Sequence, residues 1–289
     1  MWWRGKDSNL RRPKSTGLQP APFDRFGTPP ILLVFYDTKV LLHYVLNKIN
    51  SLNKMRNYII LGKYPVLEAI NNNSKRVIKI YIIEQNLEFL QNFKHIKYEI
   101  VNKNFFNKVS TNKDYLHQGF AAEIISEKNN IKELVKTQKN IVILDSINDP
   151  RNQGSILRNC LAFNIYDIVI ENKYYNEESI SMHLASSGAS MKVKIYEVSN
   201  INNAIKELKK NHYYIYGLDG QGNKNLHDAN FEKNKNAFIL GSEGYGIRKN
   251  IRDKCDDLLK ININNEINSL NVSNASAITL YEFNKKNRP

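Results

Sequence analysis

Three polar loops in this chain carry side chains that could do chemistry together, although each alone would pass for an ordinary turn. The first is Asp145-Ser-Ile-Asn-Asp-Pro-Arg-Asn-Gln-Gly154, followed by Ser-Ile-Leu-Arg158. Pro150 and Gly154 predict a turn, Asn152 is placed to cap the following helix, and Arg158 falls early in that helix. The second is Leu240-Gly-Ser-Glu-Gly-Tyr-Gly-Ile247, where glycines at 241, 244 and 246 permit close backbone approach to a ligand. Its spacing is not that of a dinucleotide-binding loop, and no Lys-Ser/Thr pair follows for a phosphate. Glu243 would repel an anion, so this loop suits a ligand that offers donors or positive charge, or an RNA hydroxyl. The third, Ile261-Asn-Ile-Asn-Asn-Glu-Ile-Asn-Ser-Leu-Asn-Val272, leads into a helix rich in small residues, with Ser269 and Asn271 as natural caps.

Strands and helices must place these loops side by side. Apolar, β-branched strands are predicted at 141–144, 167–170, 193–198, 213–216, 237–240 and 258–263, with helices at about 154–164, 178–188, 201–211, 247–255 and 272–284. Strands alternating with helices of this length imply a parallel sheet covered on both faces, whose ligands sit at the carboxyl ends of the strands. All three polar loops leave such ends. A smaller mixed α/β unit precedes this domain, with strands predicted at 58–61, 78–83, 97–101 and 119–125 and a helix around Pro65–Ile70. The expected divisions are 55–125 for the small domain, 126–139 for a charged linker and 140–289 for the larger domain.

Residues 1–54 differ from the rest. They hold five of the eight prolines, both tryptophans, and nine Lys/Arg against three Asp/Glu, without helical or strand period. They read as a disordered basic arm, or as translated non-coding sequence ahead of a start at Met55. The full chain has 289 residues and a formal net charge of +14, which suits a polyanionic partner. Without residues 1–54 that charge falls to +8, so it agrees with RNA binding rather than identifying it. No run approaches the roughly 20 apolar residues of a membrane span. Two cysteines and six histidines without H-x-x-x-H spacing point to a reduced, cytosolic protein with no metal site. The 41 asparagines are spread along the whole chain, so local Asn clusters carry no weight as sites.

Taken in order, D-x-x-x-D-P-x-N-x-G-x-x-x-R, L-G-S-E-G-x-G-I and S-L-N-V-S-x-A resemble the three motifs of the SpoU (TrmH-type) RNA 2′-O-ribose methyltransferases. Ile60-Leu-Gly-Lys-Tyr-Pro-Val-Leu-Glu-Ala69 and His117-Gln-Gly-Phe-Ala121 are similar to the family's N-terminal substrate-binding domain, most like the subgroup that methylates a guanosine of 23S rRNA. The resemblance implies a trefoil-knotted SPOUT α/β domain preceded by a small, ribosomal-protein-like RNA-binding domain. It further implies S-adenosylmethionine as cofactor, RNA (rRNA, or tRNA) as partner, and a homodimer packed through the knot. By motif, Gly241, Ile261 and Leu270 are expected to contact the cofactor. Arg158 is the residue expected to handle the ribose hydroxyl, held by Asn152 and Glu243, with Ser269 and Asn271 completing the polar wall. An arginine keeps its proton at neutral pH, so orientation of the hydroxyl and a nearby phosphate is the expected role rather than proton abstraction.

The chain departs from the family at Asn262 and Asn265, where Pro and Gly are usual; Asn tolerates the left-handed region, so Asn265 is expected to keep the turn. These departures favour one alternative, a non-catalytic RNA-binding protein that retains the fold. A dinucleotide-dependent dehydrogenase is disfavoured by the glycine spacing. In the small domain, Lys75, Arg76, Lys79, Lys94, Lys97 and Lys103 with Tyr81, Phe93 and Tyr98 are expected to meet RNA through phosphate contacts and stacking.

Overall fold

The computed structural model describes residues 56–93, 95–110, 116–231 and 235–287. The expectations for residues 1–54, Met55 and Lys94 lie outside them. The first described elements are β1 (Asn57–Leu61), α1 (Lys63–Asn73), β2 (Val77–Ile82), β3 (Tyr98–Ile100), α2 (Lys103–Val109) and β4 (Phe120–Ile125). Their sheet has the order β1-β4-β2-β3, with β4 antiparallel to β1 and β2, and β3 parallel to β2. One face buries Ile80, Ile82 and Ile124 against Val66 and Ile70 of α1, and the other packs Leu61 and Ala121 on Phe106 of α2.

The stretch expected as a linker is itself packed. Asn130 caps a short helix, α3 (Ile131–Leu134), by accepting the Lys132 amide at 2.9 Å. Leu134 and Val135 are buried within a core of the larger domain.

The larger domain runs β5 (Ile141–Asp145), α4 (Pro150–Ala162), β6 (Asp167–Glu171), α5 (Ile180–Ser186), β7 (Lys194–Val198), α6 (Ile201–Lys210), β8 (Tyr214–Leu218), β9 (Lys224–Asn225), β10 (Asn236–Gly241), α7 (Lys249–Arg252), β11 (Asp257–Lys260) and α8 (Val272–Asn287). Its seven strands take the order β7-β6-β5-β10-β8-β11-β9, and every pairing is parallel. Burial on both faces explains the unbroken apolar runs. Val142, Leu144, Phe238 and Leu240 face a core shared with α4, α5 and α8, while Ile141, Ile143, Ala237 and Ile239 face one shared with α6 and α7. From β5 the chain first moves outward through β6 and β7, then returns to the other side of β5, where β10 inserts between β5 and β8. The sheet direction of travel therefore reverses at β5/β10, the place where an open parallel sheet forms its ligand crevice.

The first polar loop is shorter than expected. Asp149 rather than Asn152 is the cap of α4, accepting the Arg151 amide at 2.9 Å, and Pro150 takes the first helical position. Gly154 lies inside the helix. A Cβ there would sit 2.3 Å from the Met182 carbonyl oxygen, so this glycine permits close packing of α4 on α5 instead of making a turn.

The two domains meet along a buried polar seam at α5. His183 is 1% exposed, stacks on Tyr58 of β1 with ring centroids 5.6 Å apart, and bonds through Nε2 to the Glu177 carbonyl oxygen at 2.8 Å. Its Nδ1 meets the Ser190 hydroxyl at 2.9 Å. Arg76, at the end of the small domain's first helical segment, pairs with Glu127 at 3.1 Å and Glu177 at 3.5 Å. It therefore fastens the seam, a role for Arg76 that its place in the sequence did not indicate.

Candidate active site

The three loops meet at the carboxyl ends of the central strands. Asn152 stands in the first turn of α4 after β5, Glu243 in the loop after β10, and Asn271 at the start of α8. The Asn152 amide donates to Glu243 Oε1 at 3.0 Å, and the Asn271 amide donates to Asn152 Oδ1 at 3.1 Å and also to Glu243 Oε1. Asn271 is held in turn as the cap of α8, its Oδ1 accepting the Ser273 amide at 2.9 Å and the Ser273 hydroxyl at 2.6 Å. Two primary amides thus converge on one carboxylate oxygen, which fixes the carboxylate and leaves its other oxygen for a donor from outside.

A cleft of about 480 Å³ opens beside this cluster, a size suited to a small cofactor. Gly241, Ile261 and Leu270, the expected cofactor contacts, all line it, and so do Glu243 and Ser269. Leu240, Leu259 and Val272 give it an apolar wall. The glycine at 241 is obligatory for its shape: a Cβ would lie 2.1 Å from the Gly246 carbonyl carbon. The loop is folded back on itself there, with the Ser242 amide donating to Gly246 O at 3.1 Å and the Gly246 amide to Ser242 O at 2.8 Å. Tyr245, at the tip of this turn, is 95% exposed.

Arg158 departs from expectation. It is exposed, and its guanidinium donates to Ser187 Oγ at 3.3 Å rather than to Asn152 or Glu243. Helical geometry is the reason, because a residue six places along points about 120° away from the first. The neighbour that shares the Asn152 face is Asn159, whose amide donates to Ser273 O and Ser276 Oγ, both at 2.8 Å. Asn159 pins α4 to the start of α8 and so sets Asn271 against Asn152. Asn265 keeps the turn as expected, standing with Glu266 at its centre, but does so without a positive φ. Asn264 makes the turn, its side chain accepting the Glu266 amide at 3.0 Å and its carbonyl the Ile267 amide at 3.0 Å.

Beneath the loops lies an ion cluster that motif spacing did not reveal. Asp145 is fully buried at the end of β5, where it accepts the Arg248 amide at 2.8 Å and the Arg248 Nε at 2.6 Å. Arg248 Nη2 reaches Glu171 Oε1 at 3.0 Å, and Lys173 pairs with Glu171 Oε2 at 3.1 Å. Burial alone would raise the Glu171 carboxyl, but bonds from Arg248, the Ile201 amide and Lys173 carry it below its ordinary value. The cluster ties the exit of β10 to those of β5 and β6. A charged residue at the end of an apolar strand was the available sign, at Asp145 and Glu171 alike.

In the small domain, Tyr81 stacks on Phe105 and Phe93 packs on Phe89, so both belong to its apolar packing. Lys79 pairs with Glu99 at 3.0 Å, while Tyr98 is 54% exposed.

Comparison with known proteins agrees with this architecture. Residues 139–281 match the SpoU rRNA Methylase family, and residues 59–129 match the RNA 2′-O ribose methyltransferase substrate-binding family. An uncharacterized tRNA/rRNA methyltransferase of Borreliella burgdorferi is 35% identical over 215 residues, 70% of this chain and 93% of the relative. The 23S rRNA (guanosine-2′-O-)-methyltransferase RlmB of Xylella fastidiosa is 33% identical over 173 residues, 57% of this chain and 69% of RlmB. Among solved structures, the SpoU methyltransferase AviRb of Streptomyces viridochromogenes in complex with AdoMet superposes with a TM-score of 0.70 at 17% identity, covering 80% of this chain and 90% of AviRb. With both domains matched in order and a relative aligned along nearly its whole length, the chain belongs to the SpoU family of tRNA/rRNA methyltransferases.

Proposed function

We propose that the protein methylates the 2′-hydroxyl of a ribose in structured RNA with S-adenosylmethionine, and that its target is a guanosine of 23S rRNA. The observation that carries this reading is the convergence of Asn152, Glu243 and Asn271 at the mouth of the cleft formed by Gly241, Ile261 and Leu270. The cleft fits the cofactor on its own chemistry: an apolar wall for an aromatic base, a tightly folded backbone loop at Gly241 that a Cβ would force open, and a carboxylate rather than a cation at its mouth. S-Adenosylmethionine supplies an electrophilic methyl group on a positively charged sulfur. Gly241, Ile261 and Leu270 would hold it. Glu243, held by the two amides, favours the positive charge and accepts a hydrogen bond from a ribose hydroxyl. Arg158, exposed on the next face of α4, orients the attacking hydroxyl and a neighbouring phosphate by its planar fork. Ser269 completes the wall, and the small domain holds the RNA.

The same reading takes residues 55–125 as the RNA-binding domain and 140–289 as the methyltransferase domain, with residues 261–271 threaded as a trefoil knot. Two copies pair through α4 and α8, where α8 leaves Ile278 and Tyr281 exposed and the loop after α4 leaves Tyr166 exposed. Titration calorimetry with S-adenosylmethionine tests the cofactor reading, and an absence of binding at millimolar cofactor would leave the non-catalytic alternative. Ribose-methylation mapping of RNA from a deletion strain tests the target. Arg158→Lys keeps the charge and removes the fork, so kcat is expected to fall by at least about tenfold with cofactor affinity unchanged. Normal turnover in that variant overturns the role of Arg158.

A further inference from the structure

The residue that receives Arg158 is itself held in an unusual way. Ser187 follows α5 with φ 48° and ψ 40°, in the left-handed region. For a serine this conformation costs on the order of 1 kcal/mol and persists where the surroundings over-determine it. Those surroundings are unusually complete. Gly188, the next residue, has φ 91°, and a Cβ there would lie 2.6 Å from Glu68 Cγ and 3.1 Å from the Tyr64 carbonyl oxygen, both on α1. Only a glycine lets α1 of the small domain approach this corner so closely. The segment that follows is clamped to the same helix: Lys192 pairs with Glu68 at 2.8 Å, and the Asn72 amide donates to Met191 O at 2.6 Å. On the other side, Ser186 donates to Ser190 Oγ at 2.9 Å within the buried seam. The corner that carries the Ser187 hydroxyl is therefore placed by the small domain, and the hydroxyl accepts from the Arg158 guanidinium.

We propose that Ser187 is a positioning residue through which the small domain aims Arg158. The RNA-holding domain and the arginine that orients the ribose hydroxyl share one rigid corner, Ser187-Gly188, so a substrate held on the small domain meets a guanidinium already directed at it. This inference rests on the reading of Arg158 given above. It explains why a serine is held where glycine would cost less: the hydroxyl is needed, and the backbone must turn.

The test uses the full chain with RNA substrate and S-adenosylmethionine. Ser187→Gly relieves the left-handed strain and removes the acceptor, so urea unfolding should show stability equal to or above that of the parent. Its kcat is expected to fall on the order of tenfold, because a misdirected guanidinium no longer meets the hydroxyl. Its KM for RNA should change by less than about twofold. Ser187→Asn keeps a side-chain acceptor on a residue tolerant of the left-handed region, and is expected to recover most of the loss. A purely structural corner predicts the opposite for Ser187→Gly, a stable protein with full kcat. That result, together with a slow Arg158→Lys enzyme, overturns the proposal while leaving the role of Arg158 standing. Full kcat in both variants overturns the role of Arg158 and the proposal with it.

Discussion

The domain seam makes a quantitative prediction about acid. His183 is enclosed by Tyr58, Tyr175, the Glu177 segment and Arg76, and burial, with Arg76 nearby, lowers its pKa to about 4. The Glu177 carbonyl opposes this shift without overcoming it. In the unfolded chain a histidine titrates near 6.5. Below that pH the unfolded state takes up a proton that the folded state refuses, so stability falls as pH drops from about 6.5 toward 4 and then levels off. The displacement corresponds to about 3 kcal/mol in full, of which about 2 kcal/mol is lost between pH 7 and pH 5. The comparison variant is His183→Gln, whose amide can donate to Glu177 O and accept from Ser190 without titrating. Urea unfolding of both proteins at pH 7, 6 and 5 gives the free energies by linear extrapolation. The carboxylates, among them Glu171 held low by its partners and Glu197 pushed up by burial, contribute alike to both proteins and cancel in the difference. The parent is expected to lose about 2 kcal/mol more than His183→Gln over the interval. Equal losses would show that His183 titrates in the fold as it does in the unfolded chain, and the account of a buried, uncharged His183 would be wrong.

Three further outcomes follow from the site. Gly241→Ala forces a methyl group into the Gly246 backbone and should cost about 1–3 kcal/mol, with S-adenosylmethionine affinity reduced at least about tenfold by calorimetry. Arg248→Leu strips buried Asp145 of its counter-charge and leaves Glu171 with Lys173 as its one cationic partner among the described residues, so thermal and urea unfolding should show a loss of about 3–5 kcal/mol at neutral pH. Asn271→Asp sets a second carboxylate against Glu243 where an amide now donates, and kcat is expected to fall on the order of a hundredfold at neutral pH, recovering in part as pH is lowered.

Much of this architecture was readable from the residues, and its exceptions are instructive. The β-branched runs at 141–144, 167–170 and 237–240 announced buried parallel strands because both faces of this sheet are covered. The start of α4 is an exception: a glycine in a polar loop reads as a turn residue, whereas Gly154 serves helix contact. The polar cluster was legible as three loops but not as a geometry: Asn152 lies 91 residues from Glu243 and 119 from Asn271, and no local pattern reports which amide meets which carboxylate. The strand order that inserts β10 beside β5 makes those contacts, and it is a property of the whole chain. Arg76 reads as an RNA contact and Arg158 as a partner of Asn152 and Glu243, because no local pattern reports that Glu177 or Ser187 stands opposite.

The long separations within the cluster also impose an order in time. A ribosome delivers Asn152 first, Glu243 much later and Asn271 after that, whereas the small domain is complete by residue 125. During synthesis the amino-terminal parts of a chain fold first. A nascent chain that has reached Glu243 has only the Asn152 amide, and not yet that of Asn271, to restrain the carboxylate, and the wall built by Ser269 and Leu270 does not yet exist. Competence therefore arrives in a single late step, when α8 docks on α4 through Asn159, and an interrupted chain has no partial version of it.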